Sequence, residues 1–416
     1  MNATLFRTGV PLRDSLADAP NPKPTKSDKR QFGALASLYT SFSKEFASYA
    51  LQLFQRQGLR VIADPFCGMG TVGEAGRGLS IELRLSDVSP FAALSGTFRS
   101  ATQSNILAAT TLVEELASEI AADNERVFFE HLFSALGAGS PNAVEVTLSA
   151  PSEPEHRQSA LAIYLAALSR IRLHKRFAGS NPTWIKRPSR DAGCDATRRA
   201  MAETLSATRT FAKNLEGLDP GNCTTVRCSS ILGVETEPNS LDAIVTSPPY
   251  ANRTDYIRHY FPASEMLLAA AGRSEREVRL KQIGTPLIRV DDPDVAMPAT
   301  VQNILERIRN HGSYASRNYY YKGFLYYFAD MRETFQRFYE WLRPGGLLLM
   351  VVQDTFYKEI HVATPDLLSD LAGAAGLTVV GRKDWAVRQY LSQLSPHSRK
   401  TARPHQLSEA VIAFSK

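Results

Sequence analysis

Cysteine is scarce in this chain of 416 residues: Cys67, Cys194, Cys223 and Cys228 make no CxxC pair, and no histidine stands near them at zinc-finger spacing. That pattern argues against a structural zinc, and the few thiols read as reduced residues. Long apolar runs are missing too. No stretch approaches the ~18 apolar residues of a membrane span, and the first 30 residues hold no continuous apolar segment of signal-peptide type, so a cytoplasmic, membrane-free protein is expected. Neither charge sign dominates: 48 Lys and Arg against 42 Asp and Glu leave +6, with a pI near 9.1. This is a mild bias toward a polyanionic partner. At 44% hydrophobic and 22% charged residues, the composition excludes a disordered or fibrous chain. The length requires one large domain with an insertion, or two to three smaller ones.

Residues 1–30, with Pro20, Pro22 and Pro24 and no sustained period, read as an arm. Residues 34–57 carry apolar side chains at three- and four-residue steps, which predicts an amphipathic helix, or two short ones, stopped by Gly58. A strand over 59–63 runs into the turn DPFCGMGT at 64–71, a short helix closed by Gly76 and Gly78, and a second strand from 81 ending at Asp87. From 101 to 215 helical stretches dominate. Strand patterns return at 223–231 and 241–246, then at 347–352 behind an amphipathic helix (326–342), and finally at 377–381, after a helix over 366–375, and at 410–414. About seven strands alternating with helices predict an α/β fold, a doubly wound, mostly parallel seven-stranded sheet with a helical insertion after the second strand. The catalytic domain is expected over 31–100 and 216–416, and the insertion over 101–215.

In such a sheet ligands bind beyond the carboxyl ends of the strands, where the 64–71 loop lies. Gly68 and Gly70 allow a ligand close to the backbone, and Asp87 can accept hydrogen bonds from a ribose diol, which together point to a nucleoside ligand. The loop is not GxGxxG and lacks the Lys-Ser/Thr of a phosphate-binding loop. Asp64 in the crevice would repel a pyrophosphate and attract the ammonium and sulfonium of S-adenosylmethionine. The second signal is Thr246-Ser247-Pro248-Pro249-Tyr250. Two prolines at a strand end remove donors and leave carbonyls exposed. The Ser247 hydroxyl and the Pro248 carbonyl can accept the two hydrogens of an exocyclic base amine, with Tyr250 stacked on the ring. No metal-ligand cluster is visible, and methyl transfer from a sulfonium needs none. The densest acid-free basic segment, 170–190, contains Arg172, Lys175, Arg176, Lys186 and Arg187 and is read as a phosphate-contacting surface; Arg253 and Arg258, just beyond the proline loop, could reach flanking phosphates or face solvent.

Through DPFCGMGTV (64–72), SDVSP (86–90), TSPPY (246–250) and RPGG (343–346), the chain resembles the DNA amino-methyltransferases, specifically the cytosine-N4 group. The likeness spans roughly 35–100 and 220–416. It implies the S-adenosylmethionine-dependent methyltransferase fold, S-adenosylmethionine as cofactor, and double-stranded DNA as partner with the target base flipped out. It also implies a restriction-modification setting, with a cognate endonuclease as a candidate partner. The cofactor residues it implies are Asp64, Pro65, Phe66, Cys67, Gly68, Gly70, Thr71, Asp87 and Ser229, joined by Tyr39 and Thr40 from the helix-opening segment 38–46. Its catalytic loop is Ser247, Pro248, Pro249 and Tyr250. Two departures stand out: VRCSSI lacks the acid often found after the third strand, leaving Ser229 or Ser230, and more than 100 residues separate the second and third strands, a candidate target-recognition region. Ser247 leans by resemblance toward cytosine N4, whereas residue chemistry alone does not choose between cytosine and adenine. Adenine-N6 methylation of DNA, methylation of an RNA base amine, and a catalytically silent nucleic-acid-binding module stay open as alternatives.

Overall fold

The computed structural model describes residues 16–25, 28, 42–119, 131, 134, 159–164, 166, 194–218, 223–251, 254–259, 267–268, 272–387 and 407–416. Ser43 caps the first long helix, α1 (Lys44–Arg56), its hydroxyl accepting the Phe46 amide at 3.1 Å. Gly58, at φ +76°, ends it and turns the chain into β1 (Val61–Asp64). Next come the short α2 (Thr71–Ala75), β2 (Glu82–Asp87) and α3 (Pro90–Ser100), the last capped by Ser89 with proline at its first position. Helices α4 (Gln103–Glu119) and α5 (Cys194–Lys213) precede β3 (Cys223–Cys228) and β4 (Leu241–Thr246). Beyond β4 lie α6 (Tyr256–His259), α7 (Glu275–Lys281) and α8 (Ala299–Arg309). A π-helical stretch, Ser316–Tyr320, runs into α9 (Tyr321–Trp341) and then β5 (Leu342–Gln353). The chain finishes with the hairpin β6 (Thr355–Tyr357) and β7 (Ile360–Val362), then α10 (Thr364–Ala374), β8 (Thr378–Ala386) and β9 (Ser408–Ser415).

The main sheet has seven strands in the order β3-β2-β1-β4-β5-β9-β8. The pairs from β3 through β5 are parallel, and β9 runs antiparallel to both of its neighbours. This is the doubly wound, mostly parallel sheet that the alternation of strands and helices predicts. Its physical cause is plainest in β5. Leu348, Met350 and Val352 pack toward α8, α9 and α10, while Leu347, Leu349 and Val351 pack toward α1 and α2, so both faces are buried and the strand reads as an unbroken apolar run. Each such side chain contributes roughly 1.5–3 kcal/mol by leaving water. A third core joins α3 to α4, α5 and residues 160–164; within it Phe98 stacks on Phe211 at 5.5 Å. No described helix is long and apolar enough to cross a membrane.

Three expectations change. Residues 16–25 are packed rather than a free arm: Leu16 and Ala19 are buried in the core beside α1, and Lys383 Nζ donates to the Ala17 and Ala19 carbonyls. The third strand stops at Cys228, because Ser230 caps a 3-10 turn over Ile231–Gly233. β1 begins at Val61, since the Arg60 and Val61 amides donate to the Asp242 carboxylate at 2.6 and 3.1 Å.

Candidate active site

The strand order reverses between β1 and β4, one running on to β2 and β3 and the other to β5, so a crevice opens at their carboxyl ends. A cavity with about 790 Å³ of empty space, its open mouth included, lies there. Pro65, Phe66 and Gly68 supply the wall that follows β1, and Asp87 with Ser89 the wall that follows β2. Ser247, Pro248, Pro249 and Tyr250 form the wall that follows β4. The glycine turn and the double-proline loop thus face one space, the arrangement on which their joint reading depends.

Two further groups complete the lining. Ser230 and Ile231 come from the turn after β3; Tyr256, Lys281, Gln282 and Ile283 come from α6 and the end of α7. Gln282, buried, ties these two helices together by accepting the Ile257 amide at 3.3 Å and donating to the Thr254 carbonyl at 2.9 Å. A buried Asp255–Arg279 ion pair at 2.6 Å adds to that tie. Nothing in the spacing around Gln282 marks it in the sequence, because its partners lie 25 and 28 residues away.

Asp87 lies in the cavity wall. Its carboxylate accepts the Gly68 amide at 3.0 Å and the Ser89 amide at 2.8 Å, so the same group that faces the cavity also shapes the glycine turn. Burial raises its pKa to about 6 against those bonds, which leaves it mostly ionised at neutral pH.

Other residues of the glycine loop stand elsewhere. Asp64, expected in the crevice, is 1% exposed and outside the cavity lining; it accepts the Thr246 hydroxyl at 2.6 Å and the Phe66 amide at 3.2 Å. Burial lifts its pKa to about 7, so it is a half-neutral strut between the two loops rather than a fixed anion for a sulfonium. Gly70 holds φ +83°, and a Cβ there would meet the Gly96 Cα at 2.5 Å, so its smallness serves the contact with α3 and not a ligand. Cys67 is buried outside the cavity, its thiol pushed well up by burial and the nearby carboxylates. Thr71 is buried at the start of α2 and accepts from Arg99. Ser229 turns away, its hydroxyl donating to the Ser230 carbonyl, and Ser230 takes its place in the lining.

On the proline loop, the Tyr250 phenol donates to Glu409 on β9 at 3.1 Å and is hydrogen-bonded by Ser247. Burial, with the Glu409 charge, holds the phenol well above its ordinary range. It therefore stays protonated and donates to Glu409 while its oxygen accepts from Ser247. The Tyr256 hydroxyl accepts the Tyr250 amide at 3.4 Å.

Arg258, expected either at flanking phosphates or in solvent, pairs through Nε with Glu275 at 2.8 Å and lies outside the cavity lining. Tyr39, Thr40, Arg172, Lys175, Arg176, Lys186, Arg187 and Arg253 lie outside the described residues.

No protein-family model and no curated protein matches the sequence. Among solved structures, the chain is similar to the [4+2]-cyclase SpnF at 9% identity, covering 93% of this chain and 91% of that one, with a TM-score of 0.33. It is similar to the rRNA methyltransferase aviRa from Streptomyces viridochromogenes at 12% identity, with 95% and 96% covered and a TM-score of 0.29. A putative sarcosine dimethylglycine methyltransferase from Galdieria sulphuraria matches at 12% identity over 69% and 97%, with a TM-score of 0.22. Likenesses this distant decide nothing about chemistry, which rests on the cavity itself.

Proposed function

We propose that this chain is a DNA methyltransferase that moves a methyl group from S-adenosylmethionine to the exocyclic N4 amine of cytosine. The observation that carries the reading is the convergence of Gly68, Asp87 and Ser247–Tyr250 on one cavity. The lining fits the cofactor: it is largely apolar, as a flat nucleoside requires, and it places one ionised carboxylate at the end of the second strand. Asp87 would accept from the ribose hydroxyls, with Phe66, Val88 and Ile231 against the apolar parts. S-adenosylmethionine supplies an electrophilic methyl group on a positively charged sulfur.

The chain's own task is to present a weak nucleophile. Ser247 Oγ and the Pro248 carbonyl accept the two amine hydrogens and so aim the nitrogen lone pair, while Tyr250, anchored by Glu409, gives the base a flat neighbour. Because the base amine is conjugated, alignment must supply most of the rate. The 101–215 region, with its basic residues, is the proposed target-recognition part, and a cognate endonuclease the proposed companion.

The test is incubation with methyl-deuterated S-adenosylmethionine and plasmid DNA, followed by digestion to nucleosides and mass spectrometry. Labelled N4-methylcytidine deoxynucleoside is expected. Labelled N6-methyladenine, label in added RNA only, or saturable cofactor binding without any labelled nucleoside would overturn the assignment.

A further inference from the structure

We propose that the segment from Arg309 to Asn318, on the carboxyl side of the sheet beside the cavity, is a second surface that grips the phosphodiester backbone of duplex DNA. The inference rests on the methyltransferase reading for its choice of polyanion. Its own basis is a stretch that the proposed reaction does not use.

From Arg307 to Ala329 the sequence holds no Asp or Glu, but Arg307, Arg309, Arg317 and Lys322, interleaved with tyrosines. Lys322 is neutralised by Asp292 at 2.9 Å. Arg309 and Arg317 face a polar depression, together with Asn310, His311, Ser313 and Asn318, and among the described residues neither arginine has an acidic partner. Arg309 lies over the Tyr321 ring at 5.4 Å, a contact that orients the guanidinium without consuming its donors. Tyr314 is 97% exposed, a cost for an aromatic ring that a partner would relieve. His311, which lines the depression, engages Glu359 through Nε2 at 2.7 Å.

Packing fixes the place of this surface. Strand β5 ends at Gln353, paired with Glu409, the residue that anchors Tyr250. The β6–β7 hairpin starts two residues later, and its Tyr357 hydroxyl meets Ser313 at 2.7 Å and Ser316 at 2.5 Å. The turn is held in an unusual shape, with Ala315 at φ +63° ahead of the π-helical stretch, so Tyr314 and Arg317 project outward from a braced base. The depression and the cavity therefore both lie at the carboxyl edge of the sheet. A duplex whose base enters the cavity would carry its neighbouring phosphates across that edge. Paired guanidiniums with side-chain amides fit phosphate oxygens, and an exposed tyrosine suits a sugar edge.

Binding of a fluorescein-labelled 30-base-pair duplex of mixed sequence, followed by anisotropy from 50 to 250 mM NaCl, tests the surface. The double variant Arg309→Ala/Arg317→Ala should flatten the slope of log affinity against log salt by about 2, since each phosphate contact contributes ~0.9. Tyr314→Ala should weaken binding roughly threefold at unchanged slope, as loss of one uncharged contact does. Arg309→Lys/Arg317→Lys should keep the wild-type slope, and S-adenosylmethionine binding by calorimetry should be unchanged in all three, which separates a lost surface from a lost fold. A wild-type slope in the double alanine variant would overturn the surface while leaving the methyltransferase reading intact. A wild-type protein that binds S-adenosylmethionine but no duplex would overturn both.

Discussion

Ser247, Tyr250 and Glu409 form a hydrogen-bonded line from the proline loop to the last strand, and only its first two members are close in sequence; Glu409 lies 159 residues beyond Tyr250. The TSPPY motif therefore announces the loop but not what holds its tyrosine. If the proposed reaction holds, Ser247→Ala should lower kcat by tenfold or more with cofactor affinity unchanged, because it removes both an acceptor for the amine and the hydrogen bond to Tyr250. Glu409→Ala should lower kcat less, about threefold to tenfold, and Glu409→Gln, which retains an acceptor oxygen, should recover most of it. Equal loss in the two Glu409 variants, in steady-state assays, would remove the anchor role. Asp64 carries a prediction of another kind. Its pKa rises from an ordinary 3.8 to about 7 in the folded protein, so the native state binds a proton that the unfolded chain has released. Its contribution to stability is then complete below about pH 4 and is lost as pH climbs to 7, a change of order 4 kcal/mol at ~1.4 kcal/mol per unit. Asp64→Asn keeps an acceptor for Thr246 without titrating, so urea midpoints measured from pH 4 to 7 should vary less than in the wild type. An equal pH slope would show that other groups, such as Asp87, govern it.

The glycine loop and helices α2 and α3 act as one unit. Glu74 and Arg99, each 3% exposed, pair between the two helices, and Arg99 also donates to the Met69 carbonyl at 3.3 Å and the Thr71 hydroxyl at 3.4 Å, fixing the loop's far end. Burial of this pair is sustained by the partners' charges, which hold the Glu74 carboxyl below its usual range despite desolvation. The sequence makes the strand, glycine turn and short helix legible, since Gly and Asp at a strand end have few other uses. The reason for Gly70 was not legible: both ligand approach and helix contact call for a missing side chain, and only the position of Gly96 distinguishes them. Gly70→Ala should therefore cost about 2–4 kcal/mol, through positive φ and overlap with backbone. Gly96→Ala should be neutral or slightly stabilising, because its Cβ would meet nothing closer than 3.5 Å and would favour the helix. Thermal melts compare the two, and a larger loss in Gly96→Ala would reverse the assignment of which glycine is crowded.

Across the whole molecule, the N-terminal segment and the last strands close on each other. Leu16 is 1% exposed, in a core shared with α1, and Lys383 on β8 binds the Ala17 and Ala19 carbonyls. Leu16→Ala should cost about 2–4 kcal/mol in a denaturant melt, as for any buried leucine, whereas a free arm would give no change. Its packing escaped the sequence reading because three prolines and scattered charges show no period, and burial of an irregular segment leaves none. The amino-acid order by itself determined the alternation of strands and helices, the apolar run of β5, and the glycine turn and double-proline loop at strand ends. These are local properties, written as periodicity and as residues with restricted or permissive backbones. Tertiary structure alone decided that the two loops share a cavity, that Asp64 faces Thr246 instead of that cavity, that Gln282 lines it and that Glu409 braces its Tyr250. Strand order and side-chain neighbours separated by tens to hundreds of residues arise only when the sheet closes, and no spacing along the chain records them.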